Sequence, residues 1–200
     1  MANHKATKKD TVWEIDERED EKGKNKFVFY TGSIKDKNER EISRLIYNST
    51  WENLPTNTCG KLIQQLKAIH SNNHYGEVIK MLMTTKTGAE GLDLKEVRYI
   101  HIMESFWQPV LIDQIIGRGV RNESHLKLKQ EDRTVEVYIY MASITPNQIR
   151  KINYVAVRRD IYKYPNPALA DKENKVISSD EYLFLSADRK RIIVNEFQKL

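Results

Sequence analysis

Gln114, Arg118 and Arg121 stand at offsets 0, 4 and 7 in the stretch QIIGRGVR. On a helix these offsets project from one face, so the spacing predicts two guanidiniums and a carboxamide side by side. Arginine offers paired planar donors and stays charged in any pocket, which suits a polyphosphate. The competing reading is a pair of surface arginines on an amphipathic helix. A second stretch lies upstream: residues 81–94, MLMTTKTGAEGLDL, begin as an apolar strand and break into a turn rich in Thr and Gly. A glycine there permits close backbone approach at a strand-to-helix turn, and free amides at such a turn attract anions.

The elements that must position these residues follow an alternating strand and helix pattern. Residues 26–31, KFVFYT, read as a buried strand that Gly32 and Ser33 end, where a doubly wound sheet turns into a helix. Lys37 to Tyr47 places Ile42, Leu45 and Ile46 at core spacing and predicts that helix. Residues 48–55 read as loop, 61–70 as a short amphipathic helix and 78–84 as an apolar strand. His70 and His74 have no acidic or Cys companions in sequence and are expected in solvent, not on a metal. Residues 98–103 form a further strand, with His101 a packed or edge residue. Trp107 fits a core plug, a stacking platform or a strut before the arginine helix; the strut is favoured, because Pro109 fixes the turn where that helix begins. Residues 126–133 are a charged excursion, and 134–141 a final, less buried strand. Beyond 143 the periodicity is helical: a basic helix over 148–162, a break at Pro165-Asn-Pro167, and a last helix signalled by the capping box Ser178 to Glu181. Its basic residues Arg189, Lys190 and Arg191 suit a phosphate contact or a solvated face, and the solvated face is favoured.

The stretch at 81–94 resembles motif V, and QIIGRGVR resembles motif VI, of superfamily 2 helicases and nucleic-acid translocases. Trp107-Gln-Pro109, seven residues ahead of Gln114, has a spacing similar to that of the Swi/Snf-type translocases. The wording GAEGLDL at 88–94, VRYIHIME at 97–104 and VEVYIY at 135–140 looks most like the helicase-type ATPases of large nucleocytoplasmic DNA viruses, the group that includes their early transcription factors and nucleoside triphosphatases. The resemblance covers roughly residues 27–142, with a weaker echo in the tail. It implies an α/β fold, RecA-like and doubly wound, with a mainly parallel sheet incomplete at its N-terminal side and a C-terminal helical extension. It also implies roles. Arg121 stands as the arginine finger, with Arg118 bracing it or sharing the charge. Gly91, Asp93, Gln114, Arg118 and Arg121 stand on the ATP side. Thr85 stands where the family hydrogen-bonds a nucleic-acid phosphate, and Thr31, Gly32 and Ser33 where it borders the nucleic-acid track. For the last three, a strand end needing a tight turn explains the residues equally well. Asn122-Glu-Ser-His125 resembles a segment that follows motif VI in the viral enzymes, with no role assigned.

At 200 residues the chain has room for one well-cored domain and an appendage, expected at 27–142 and 143–200 behind a charged, largely flexible lead at 1–26 whose Val12–Ile15 patch alone suits packing. A formal net charge of +5 permits a nucleic-acid partner without demanding one. The lone cysteine, Cys59, forms no internal disulfide, no Cys/His cluster has zinc spacing, and no run is apolar enough to span a bilayer. A soluble, metal-free intracellular protein is expected, in host cytoplasm or virion if viral. No Gly-x-x-x-x-Gly-Lys-Ser/Thr phosphate loop occurs; Cys59-Gly-Lys-Leu62 lacks both the leading glycine and the hydroxyl for magnesium. No strand ends in the acidic pair of a Walker B segment. The expectation is therefore the second motor lobe of an ATP-dependent helicase or translocase, as a split product, truncated gene or excerpt. ATP and Mg2+ would be completed by an N-terminal RecA-like lobe in cis or trans, and the chain alone would be inactive. DNA or RNA and a viral transcription complex are the partners implied. The alternative is a non-enzymatic module that binds nucleic acid or a transcription complex.

Overall fold

The computed structural model describes residues 2–3, 6–9, 12–15, 26–34, 36–86, 91–143, 145, 147 and 178–199. The chain divides into two units, Met1–Ile100 with Ile115–Glu136, and His101–Gln114 with Val137–Leu200. The basic helix expected at 148–162, the Pro165-Asn-Pro167 break and the turn residues 87–90 lie outside the described residues.

In the first unit, β4 (Lys26–Tyr30) is the centre of a three-stranded parallel sheet. It pairs with β1 (Ala2–Asn3) on one side and with β5 (Met81–Thr84) on the other, in the register Phe27↔Met81 through Tyr30↔Thr84. The lead, expected to be largely flexible apart from a packing patch at Val12–Ile15, supplies β1 to the sheet. It also forms an antiparallel hairpin of β2 (Ala6–Lys9) and β3 (Val12–Ile15).

Helix α1 spans Lys37–Tyr47, as its Ile42 and Ile46 spacing predicts, and both isoleucines are buried. Asp36 caps it by accepting from the Asn38 amide at 2.8 Å, leaving one fewer orphan donor in the first turn. Helix α2 spans Thr56–Ile69 and lies against β3. It starts five residues ahead of the expected 61, because Cys59 behaves as an apolar residue. With Leu62 and Leu66 it completes a fully buried stripe, and packing overrides the weak helix preference of Thr, Asn and Gly. The loop before α2 also packs, since Trp51 and Leu54 close the same core.

Strand β5 begins at Met81 and not at Val78. The amides of Val78 and Ile79 both donate to the Asn73 side-chain oxygen at 2.8 Å, which takes them out of the ladder. Asn73 also donates through Nδ2 to the carbonyls of Tyr47 and Ile79, both at 3.0 Å. One buried side chain therefore satisfies four main-chain groups.

A separate pair joins β6 (Tyr99–Ile102) to β7 (Glu136–Ile139), so the parallel strands stand in two hydrogen-bonded groups. The Glu136 amide donates to Arg98 O and the Tyr140 amide to Ile102 O, each at 2.9 Å and at the same sequence offset, as parallel pairing requires. Helix α3 spans Pro109–Gly119, with proline in its first position, where its missing N–H costs no hydrogen bond, and not in the turn before it. It ends before Arg121, so Gln114, Arg118 and Arg121 do not share one helical face; at its last residue, Gly119, an added Cβ would meet Ile100 and Val97 at 3.1 Å.

In the second unit, α4 (Ser178-capped, Ser179–Phe197) carries the expected capping box. The Glu181 amide donates to Ser178 Oγ at 3.1 Å and the Ser178 amide to Glu181 Oε2 at 2.7 Å. Two of its basic residues meet partners at the surface. Lys190 Nζ lies 3.6 Å from the centre of the Trp107 ring and Arg191 Nη2 donates to Asp113 Oδ1 at 2.7 Å. Trp107 is half exposed under that ammonium and is no core plug. His101 is an exposed strand residue that stacks on Tyr138 and hydrogen-bonds the Tyr140 hydroxyl at 2.9 Å. Among the described residues, no helix is long and apolar enough to cross a membrane.

Candidate nucleotide and nucleic-acid site

Parallel β4 and β5 end side by side, and the pairing of Tyr30 with Thr84 brings Thr31 and Thr85 to neighbouring carboxyl ends. Thr31 and Ser33 share a hydroxyl hydrogen bond of 2.6 Å, and Gly32, Ser33 and Thr85 are exposed. The Thr84 hydroxyl donates to the Thr85 carbonyl at 3.1 Å. The four candidates for the nucleic-acid side thus gather where ligands of open α/β sheets bind, outside the carboxyl ends of the strands.

The candidates for the ATP side are assembled by backbone stitching. Gly91 has φ +73, and a Cβ built there meets nothing within 4 Å, so glycine is required by conformation and not by crowding. Leu92 is buried, and the Leu94 amide reaches the Arg118 carbonyl at 3.4 Å. The Arg121 Nη1 then pairs with Asp93 Oδ1 at 3.0 Å, both side chains being nearly half exposed. The glycine-turn segment and the arginine segment therefore meet across 28 positions of sequence. Gln114 lies exposed on α3, one turn ahead of Arg118, and belongs to the second unit.

Arg121 is held by its main chain as well. Ser124 Oγ donates to the Arg121 carbonyl at 2.8 Å and lies 3.3 Å from the Arg121 amide, which donates to it. Ser124 O accepts the Glu96 amide at 3.0 Å, and His125 Nε2 lies 2.6 Å from the Val97 carbonyl. Asn122-Glu-Ser-His125 thereby has a structural role: it sews the chain after α3 to the chain after Asp93.

Sequence reasoning missed two features of this seam. Asn48, in what reads as a polar loop, is buried and hydrogen-bonds the main chain on both sides of Leu94. Its Nδ2 donates to Asp93 O at 2.9 Å, and its Oδ1 accepts the Lys95 amide at 3.0 Å. Its position directly after the last apolar turn of α1 was the available signal. The second is Glu96, buried at φ +55 and facing His74, whose Nδ1 is 3.7 Å from Glu96 Oε2. His74 therefore has an acidic companion in space, contrary to expectation, at a distance too long for a direct hydrogen bond. Burial pushes the Glu96 carboxyl above its ordinary range, against the lowering pull of His74, Lys127, Lys95 and His125. Burial first, and the Glu96 charge second, push the Tyr47 phenol up to about 12. Among the described residues, no group of three His, Cys, Asp or Glu side chains could hold a metal ion.

Parallel strands whose carboxyl ends carry hydroxyls, and a glycine turn locked to an arginine segment, define an α/β protein. The chain belongs to the family of the helicase conserved C-terminal domain, which matches residues 15–123, and this implies a RecA-like α/β fold. Its relatives are proteins of large DNA viruses. It is 33% identical over 129 residues to a protein of Acanthamoeba polyphaga mimivirus named as an ATP-dependent RNA helicase, covering 64% of this chain and 23% of that protein. It is 48% identical over 81 residues to termination factor NPH-I homologs of African swine fever virus, covering 40% of this chain and 11% of theirs. A second mimivirus protein named as an ATP-dependent RNA helicase is 40% identical over 91 residues, 46% of this chain and 11% of its own. The chain spans less than a quarter of the length of these relatives.

Proposed function

We propose that the chain is the second RecA-like lobe of a superfamily 2, ATP-dependent helicase or translocase that serves viral transcription or replication. Residues 27–142 form the lobe and 143–200 its extension. ATP lies between this lobe and a partner RecA-like lobe, supplied in cis or trans, that carries the phosphate loop and holds Mg2+. The observation that carries the reading is the 3.0 Å pair of Asp93 and Arg121, in which the two motif segments converge on one another. Arg121 acts as the finger that stabilises charge spreading over the transferred phosphoryl group, Arg118 shares that charge, and Gly91, Asp93 and Gln114 border the nucleotide. Thr31, Gly32, Ser33 and Thr85 contact the backbone of DNA or RNA, and opening and closing of the cleft moves that contact along the strand.

The test is a rebuilt motor, with a first lobe fused or added in trans and ATP turnover followed with and without nucleic acid. Arg121→Ala should lower stimulated turnover by roughly 10³-fold while leaving ATP affinity and folding nearly intact, since a finger acts mainly in the transition state. Turnover that survives Arg121→Ala would remove the finger assignment. The chain by itself should hydrolyse no ATP above background, and robust turnover by the pure chain, lost on Arg121→Ala, would overturn the division between lobes.

A further inference from the structure

Asn48 follows the last residue of α1 and ends that helix by donating its amide to Arg44 O at 2.9 Å. Helix termination uses only its main chain, so the side chain is left for another task. Its whole carboxamide is spent on one distant segment: donor to Asp93 O at 2.9 Å, acceptor from the Lys95 amide at 3.0 Å. This two-point grip on the main chain around Leu94 resembles a strand pairing supplied by a side chain. It fixes the direction in which the Asp93 side chain leaves the backbone. On the other face of the same segment, the Leu94 amide is taken by Arg118 O at 3.4 Å, and the Asp93 carboxylate reaches Arg121 at 3.0 Å. The grip is buried, whereas the Asp93–Arg121 pair is nearly half exposed. An exposed ion pair is worth little on its own and needs its partners pre-oriented to persist.

We propose that Asn48 is a positioning residue, which sets the Asp93 carboxylate and through it the direction of the Arg121 guanidinium. The inference rests on the reading of Asp93 and Arg121 as nucleotide-side residues, and it adds a residue that lies outside both motifs and touches no ligand. Both Asn48 bonds end on the peptide units that flank Leu94. The Leu94–Arg118 and Glu96–Ser124 main-chain bonds hold the backbone of the arginine segment, so the link from Asn48 to the Arg121 guanidinium is the Asp93 carboxylate.

The direct test follows the Arg121 side-chain Nε–Hε signal by NMR in the 200-residue chain, with Asp93→Ala giving the position of an unpaired guanidinium. Asn48→Ala should shift the Arg121 signal toward that position and speed exchange of the Lys95 amide by about tenfold or more. An Arg121 signal that stays at its native position overturns the inference. Should Asn48→Ala fail to fold, Asn48→Asp keeps the acceptor for Lys95 and removes the donor to Asp93 O; it should move the same signal, and no movement overturns the inference equally. In the rebuilt motor, Asn48→Ala should lower turnover about tenfold in the native background and have no further effect once Asp93→Ala is present. Equal losses in both backgrounds would make Asn48 merely structural. Arg121→Ala in the same assay decides the nucleotide reading by itself, while the NMR arm decides the role of Asn48 whatever that assay returns.

Discussion

Two buried polar residues of the first unit carry opposite lessons about cost. Asn73 is fully paired: it closes four main-chain groups of Tyr47, Val78 and Ile79, and its own amide donates to Ser49 Oγ. Asn73→Ala would leave those groups buried without partners, so unfolding in denaturant should show a loss on the order of 3 kcal/mol. A loss under about 1 kcal/mol would mean that water replaces the amide with ease. Glu96 is the reverse case, a buried carboxyl whose Oε2 has no hydrogen-bond partner and whose protonation burial favours. Since its folded pKa stands above its unfolded one, the folded state holds the proton more tightly. Stability is therefore lost as pH rises from the ordinary carboxylate range through the raised folded value, and the penalty is complete above it. Glu96→Gln should accordingly raise the melting temperature at pH 7 and leave it unchanged well below pH 4, a difference that paired thermal melts can read. A lower melting temperature at pH 7 would instead make the attraction to His74 and the nearby lysines dominant.

At the scale of the element, α3 contains two glycines with opposite surroundings. A Cβ on Gly119 would meet Ile100 Cδ1 and Val97 Cγ1 at 3.1 Å, whereas one on Gly117 meets nothing within 4 Å. Gly119→Ala should therefore cost about 1–3 kcal/mol by overpacking, and Gly117→Ala should gain roughly 0.5–1 kcal/mol from helix propensity. Chemical denaturation of the two variants checks both signs. If Gly117→Ala stabilises the chain and slows the rebuilt motor, that glycine is kept for close approach to a ligand. The extents of α1 and α4 were legible because local chemistry announces them: Ile42 and Ile46 one turn apart, and a reciprocal Ser178–Glu181 cap. The start of α2 was hidden because Cys59 counts as a core residue only once Leu62 and Leu66 are known to be buried beside it. For the site, Asp93 and Arg121 were singled out by the family resemblance, and their pairing at 3.0 Å and the end of α3 before Arg121 were not legible. No capping residue or proline directly follows Gly119 to announce that end. Asn48, Asn73 and the pairing of Lys190 with Trp107 share this character: each joins a side chain to a partner far away in sequence.

At the scale of the whole chain, the net charge of +5 is modest for a protein that would track a polyanion. The groups gathered at the ends of β4 and β5 are mostly neutral hydrogen bonders, Thr31, Gly32, Ser33 and Thr85. Neutral donors position a phosphate but release no counterion, whereas each phosphate neutralised by Lys or Arg adds about 0.7 to the salt slope on a single strand. The chain alone should therefore bind single-stranded oligonucleotides weakly, with an affinity that falls as salt rises through whatever lysines and arginines flank the strand ends. Thr85→Ala should weaken binding while leaving the slope against log salt unchanged, because no charge is removed. Titration at several salt concentrations separates these two quantities. Tight binding indifferent to salt would mean that bases, not phosphates, are held. An affinity untouched by Thr85→Ala would move the track away from the β5 end. In the rebuilt motor, the same substitution should reduce stimulation by nucleic acid more than it reduces basal ATP turnover, the opposite of what Arg121→Ala should do.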